Sequence, residues 1–265
     1  MVPAFFFLLF LSVLSVLLCA PVDVDDASVE TPMLLDDIVI PDIQSRNADP
    51  CTATGCKWPK SERFVYVPYN ISSAYSEKER NRIIDALQSF NESTCIRFVP
   101  CKSSHRDYIH FFSGEGCWSY LGRQTGGQKI SLKRKGCFRF GTIQHEILHA
   151  LGFNHEQTRS DRDSHVRIIL ENVIRGQEHN FRKINTNNLG TPYDYNSVCS
   201  YGRFAFSRNR QPTIVPIPNQ NVEIGRATQM SPNDILRVNR LYRCNSNNLQ
   251  WLPKDPKSAS GNGFL

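Results

Sequence analysis

The run QHEILHALGFNHEQTRSDRD, Gln144 to Asp163, holds the side chains whose types and spacing can do chemistry. His145 and His149 are four residues apart, so a helix presents both imidazoles on one face. Glu146 stands beside the first of them, and Ile147, Leu148 and Leu151 fall on the opposite, core-facing side. Gly152 can end that helix in a left-handed turn that a Cβ would oppose. The chain can then fold back and bring His155 round as a third ligand. Three imidazoles leave a zinc ion an open fourth position, which is the layout of a catalytic site and not of a closed structural one. HExxH alone arises by chance in roughly one chain per hundred of this length, but the added glycine and third histidine at fixed offsets make chance negligible. Zinc in such a site supplies Lewis acidity toward a peptide carbonyl and toward water. Glu146 is the base that takes the water's proton and hands it to the leaving amine. A hydrogen-bond donor beside the developing oxyanion would contribute roughly 3 kcal/mol.

These residues need elements to hold them. RFVYVPY and CIRFVP are rich in β-branched and aromatic residues and read as strands. Between them SEKERNRIIDALQSF has helical spacing, with Ile83, Ile84, Leu87 and Phe90 predicted on one face. DYIHFF alternates as another strand, and CWSYLGRQTGGQKISL reads as two strands around Thr125-Gly126-Gly127-Gln128. The histidine-bearing helix is predicted from about Thr142 to Leu151. Beyond residue 155 the patterning thins, apart from DRDSHVRIILENVI and a last helix in SPNDILRVNRLYRC. There Ser231 is the expected N-cap, with Asp234 three residues on. Strand, helix and strand, then more strands and a helix, make an α+β pattern. No internal repeat or second module is visible.

Composition sets the compartment. The chain has 265 residues, and MVPAFFFLLFLSVLSVLLCA at residues 1–20 reads as a secretory signal peptide, its apolar part too short to span a bilayer. Cys19 leaves with it, and eight cysteines remain, an even number that points to disulfides in an exported protein. The NIS and NES triplets make Asn70 and Asn91 glycosylation candidates. Residues 1–46 hold seven acidic side chains and one basic one, Arg46; of the 31 basic and 25 acidic residues in all, 30 and 18 fall after it. An acidic leader on a basic body suggests a propeptide over residues 21–46 that docks by charge and is cut between Arg46 and Asn47 by a trypsin-like protease. A solvated surface and a disordered arm are the plainer alternatives. Nothing resembles a nucleic-acid motif. Cys199, in NSVCSYGRF, remains a question: nucleophile, metal ligand, disulfide half or buried filler. With three histidines on zinc, no activating base is left for a nucleophile, and a fourth ligand would close the site.

HExxHxxGxxH marks the metzincins, and HEILHALGFNHEQTRSDRD is similar to the longer signature of the astacin family. The resemblance spans nearly all of residues 47–244, and NADPCTATGCKWPK and TPYDYNSV…YGRFAFS are close to the six-cysteine fish astacins, which include hatching enzymes. It implies an α+β, metzincin zincin-like fold: an N-terminal twisted mixed sheet with two long helices, a cleft, and a C-terminal subdomain with little regular structure and a final helix. It implies one Zn2+ on His145, His149 and His155, with Glu146 catalytic. Tyr201 matches the family tyrosine that stabilises the oxyanion, and Ser197-Val198-Cys199-Ser200-Tyr201 matches the turn beneath the zinc. It pairs Cys95 with Cys244, Cys117 with Cys137, and Cys51 with Cys56. Cys101 and Cys199 are left over, and parity suggests that they bridge, unless Cys199 is a polarizable filler in place of the turn methionine. The family's inhibitory aspartate, in F-x-G-D, falls on Leu34-Leu35-Asp36-Asp37, so Asp37 is the candidate zymogen switch and Asp36 the competing carboxylate. Glu156 matches a residue that meets the mature N-terminus in the family. The strand CWSYLGR could take a substrate as an added antiparallel strand, or be simply an edge.

The domains expected are therefore a signal peptide (1–20), a propeptide (21–46), a catalytic domain (47–245) and a disordered tail (246–265). The function expected is that of a secreted, monomeric zinc endopeptidase, stored as a zymogen in secretory granules and acting on extracellular proteins, plausibly of the egg envelope. The alternatives are an astacin-like protease of another tissue or a non-catalytic zinc-bearing module that grips glycoproteins.

Overall fold

The computed structural model describes residues 33–40 and 56–245. The expected leader, the cut between Arg46 and Asn47, Cys51 and the tail all lie outside the described residues. The described chain runs β1 (Met33–Leu35), β2 (Ile38–Ile40), β3 (Lys60–Ser61), β4 (Phe64–Ile71), α1 (Glu77–Ser93), β5 (Ile96–Pro100), β6 (Tyr108–Phe112), β7 (Cys117–Tyr120), β8 (Gly127–Leu132), α2 (Phe140–Ala150), β9 (Val166–Ile168), β10 (Ile214–Pro216) and α3 (Pro232–Leu241).

Alternation within strands builds the sheet's buried face. Val65 and Val67, Ile109 and Phe111, and Ile130 and Leu132 share one core with Ile83, Leu87 and Phe90 of α1 and Ile143 and Ile147 of α2. The sheet is mixed, in the order β1-β2-β7-β8-β6-β4-β3, with β5 also on β4. β4 runs parallel to β5 and β6, β6 runs parallel to β8, and β7 turns back antiparallel to β8. This is the expected α+β architecture. The β7 edge, however, is already taken by the chain's own β2, in parallel and not antiparallel sense. Ile38 lies opposite Ser119 and Val39 opposite Tyr120, and the Ser119 amide donates to the Asp37 carbonyl at 2.8 Å.

α1 starts on a capping box: the Ser76 hydroxyl takes the Glu79 amide and the Glu79 carboxylate takes the Ser76 amide. Its buried stripe is Ile83, Ala86, Leu87 and Phe90. Ile84, expected on that face, is 41% exposed. The reason is angular: at about 100° per residue it falls at the rim of the stripe, while Ala86 falls inside it.

A second apolar cluster lies in the C-terminal half, where Val166, Val173, Phe181, Ile214 and Ile224 pack around Tyr193 and Tyr201. Two disulfides join described cysteines, Cys95–Cys244 and Cys117–Cys137. Cys56 and Cys101 are also disulfide-bonded. The proposed Cys101–Cys199 bridge is not formed: Cys199 is a free, buried thiol, 3% exposed. Parity failed as a guide because it counts thiols and ignores where they point. Burial pushes the Cys199 thiol up to about 11, so it stays a neutral apolar filler.

Candidate metal centre

α2 carries His145, Glu146 and His149, and ends in a Schellman turn. Gly152, at φ +103°, donates to the His149 carbonyl, and the Phe153 amide reaches back to the Leu148 carbonyl at 3.0 Å. The same turn aims the Phe153 carbonyl at the His149 ring, whose Nδ1 donates to it at 2.6 Å. On the neighbouring turn of the helix, His145 Nδ1 donates to the Val198 carbonyl at 2.9 Å. A carbonyl can only accept, so both Nδ1 atoms carry a proton, which on a neutral ring leaves Nε2 with the lone pair that a metal would take. These two Nε2 atoms lie 2.9 Å apart, and His155 Nε2 is 3.4 Å from that of His145. Burial, and the His145 ring next to it, push His149 down to about 4, so it is neutral.

The Val198 carbonyl is itself held from α3. Asp234 accepts from the Ser231 amide in a second capping box, and also from the Ser197 hydroxyl at 2.7 Å and the Val198 amide at 2.9 Å. The turn is tied to the third histidine as well, because the Glu156 amide donates to the Cys199 carbonyl at 3.0 Å. Glu156 forms a buried bidentate pair with Arg237, at 2.6 and 2.8 Å, and accepts from the Asp194 amide. Tyr201 packs its ring 4.6 Å from that of His155, with Phe181 and Phe206 behind it.

The β1–β2 hairpin brings two carboxylates to these residues, and Asp36 and Asp37 form part of the wall of an adjoining cleft of about 880 Å³ that His145 and Glu146 also line. Asp37 Oδ2 lies 2.8 Å from His145 Nε2, and Oδ1 lies 2.9 Å from His155 and 3.5 Å from His149. Asp36 faces the other way and accepts from the Tyr201 hydroxyl at 2.6 Å. The structure thus separates the two competing carboxylates: Asp37 meets the histidines and Asp36 meets the tyrosine. The residues fit a divalent cation. Three Nε2 atoms and one carboxylate oxygen lie within 4.8 Å of one another. Facing lone pairs repel unless a cation lies between them. The buried Asp37 Oδ1 and Glu146 Oε2 have no hydrogen-bond donor, as a metal's neighbours would.

Glu146 is 1% exposed, and burial first, then the Asp37 charge, raise its pKa well above the usual carboxylate range. Burial likewise raises the Tyr201 phenol, so it remains a donor. Asn70 and Asn91, the glycosylation candidates, are half-buried and engaged: Asn70 Oδ1 meets His110 Nδ1, and Asn91 Oδ1 accepts from the Phe98 amide at 3.1 Å. Sequence reasoning missed Asp234, Arg237 and the Val198 and Phe153 carbonyls. Only Asp234 left a trace, as the third residue after a capping serine.

Comparisons with known proteins point to one family. The profile of the peptidase family Astacin matches residues 52–243. High choriolytic enzyme 1 of Oryzias latipes is 51% identical over 214 residues, 80% of this chain and 78% of that one. Low choriolytic enzyme of the same fish is 48% identical over 215 residues, again 80% and 78%. The solved structure of High choriolytic enzyme 1, described as a hatching enzyme zinc-protease, superposes with a TM-score of 0.72 over 75% of this chain and 100% of its own.

Proposed function

The chain belongs to the astacin family of peptidases, and from that premise we propose that it is a secreted, self-blocked precursor whose mature form digests egg-envelope proteins at hatching. At the level of the family it is a zinc-dependent metalloendopeptidase acting on protein substrates. The observation that carries the finer reading is the pair of choriolytic enzymes about half identical to this chain over most of both lengths.

His145, His149 and His155 would hold the zinc, which when bound would supply Lewis acidity toward the scissile carbonyl and toward water. Glu146, whose burial raises its proton affinity, takes a proton from water and returns it to the leaving amine. Tyr201 keeps its phenolic proton and donates a hydrogen bond to the oxyanion once its present partner has gone. The edge of β7 offers its backbone to an extended substrate once β2 leaves.

In the precursor Asp37 is the block: its carboxylate points at the three Nε2 atoms, where water and substrate must come. The cut after Arg46, by a trypsin-like protease, untethers the hairpin. The apolar run at residues 1–20 supports export, and a blocked form suits storage in secretory granules. Among the described residues, no helix is long and apolar enough to cross a membrane.

The test is digestion of purified egg envelope by the activated protein, with cleavage sites mapped. Soluble envelope fragments are expected. An intact envelope, with a generic peptide cleaved in the same tube, would reject the hatching role in favour of a protease of another tissue. Failure to cleave anything while holding zinc would favour a binding module.

A further inference from the structure

We infer that Asp36 is a second, independent latch of the precursor: it captures the Tyr201 hydroxyl while Asp37 blocks the metal position. The inference rests on the reading of residues 33–40 as part of an inhibitory segment. Its first support is direction. Adjacent residues in the hairpin turn send their carboxylates to different targets, Asp37 to the histidines and Asp36 to Tyr201 Oη at 2.6 Å. Its second is the backbone. Asp36 sits at φ +57°, a left-handed conformation that glycine adopts without penalty and that aspartate tolerates better than most residues. The resemblance noted above places glycine in this slot. The turn therefore does not require a side chain here, and the one present is aimed at a functional hydroxyl. Its third is the target. The Tyr201 ring is 8% exposed and is wedged between His155 and Phe181, so its hydroxyl has little freedom to leave Asp36 for another acceptor.

The consequence is a block divided between two catalytic functions. Asp37 covers the metal position, and Asp36 occupies the group that would stabilise the oxyanion. The hairpin leaves cleanly only when both contacts break.

The test uses the full-length precursor with Arg46→Ala, so that the segment stays tethered. Hydrogen exchange is followed in peptides covering residues 33–40 and 117–120, because the Ser119 amide is bonded to Asp37 in the β2–β7 pairing. The variants are Asp36→Asn, Asp36→Gly, Tyr201→Phe, Asp36→Asn with Tyr201→Phe, and Asp37→Asn. Asp36→Gly is the deciding one. If Asp36 were only a turn residue, glycine would relieve its backbone and exchange would slow or stay unchanged. The latch predicts that Asp36→Gly, Asp36→Asn and Tyr201→Phe each speed exchange about ten- to a hundredfold, the scale for losing one hydrogen bond to a charged group. It also predicts that the double variant exchanges no faster than the singles. Wild-type exchange in Asp36→Gly and Asp36→Asn overturns the latch, as does an additive double variant. Asp37→Asn separates this from the reading beneath it. If Asp37→Asn exchanges as wild type while the Asp36 variants open, the Asp37 block fails and the latch stands. An unchanged thermal midpoint in each variant shows that the fold is intact.

Discussion

Two backbone carbonyls, from Val198 and Phe153, decide which nitrogens of His145 and His149 are free. The three histidines themselves were legible because HExxHxxGxxH is a spacing rule, and helix geometry converts spacing into a shared face. The carbonyls were not, because a backbone acceptor has no identity in the sequence and its place depends on the tertiary fold. The same holds for Cys199, whose environment and not its count makes it a free thiol. Two outcomes belong at this scale. Glu146→Gln lowers kcat/KM by about a hundred- to ten-thousandfold with zinc content unchanged, since the ligands are untouched; near-normal turnover would refute its role as the base. Cys199 is alkylated only after unfolding, without any reductant. A disulfide-linked peptide containing Cys199 in the non-reduced digest would refute the free thiol.

Between elements, the connection that matters runs from the N-terminus of α3 to the floor of the centre. Asp234 caps its own helix and holds Ser197 and Val198, and the Val198 carbonyl then orients His145. Removing it as Asp234→Ala strips a cap and leaves buried donors unpaired. The expected loss is about 2–4 kcal/mol in denaturant unfolding, with weaker zinc retention. Ser76→Ala, at the far capping box of α1, is expected to cost only about 1 kcal/mol and to leave zinc retention unchanged. Equal effects of the two on zinc would contradict the chain of contacts. The partner of Ser76, Glu79, is held down to about 2 by its hydrogen bonds from Arg134, then those from Ser76. A depressed carboxylate stabilises the fold above its ordinary value of 4.5, and that contribution fades as pH falls through about 2. The Tm gap between wild type and Glu79→Gln should therefore be widest above pH 4.5 and close as pH falls through and below about 2. The Ser231 cap was readable from sequence because a capping box is a local pattern. The exposure of Ile84 was not, because a rim residue is decided by which neighbour fills the core.

Across the whole molecule, the Cys95–Cys244 disulfide ties the end of the last helix to the start of β5 across 149 residues. Reducing the unfolded chain's freedom over so long a loop contributes about 4–5 kcal/mol in the chain-entropy model, and the paired Cys95→Ala, Cys244→Ala change should lower stability by that order. The α+β class and the strand positions could be read in advance from local alternation. The strand order could not, since pairing across distant segments leaves no local trace, and the parallel docking of β2 on β7 is a case of this. The central claim joins all three scales: a zinc peptidase closed by its own leader. Its most direct test is hydrolysis of a fluorogenic peptide by the zinc-loaded full-length precursor, before and after the cut at Arg46. Negligible turnover is expected before the cut, a rise of at least about a hundredfold after it, and loss with a chelator reversed by added zinc. Full turnover in the uncut precursor, or none after a verified cut with zinc bound, would contradict it.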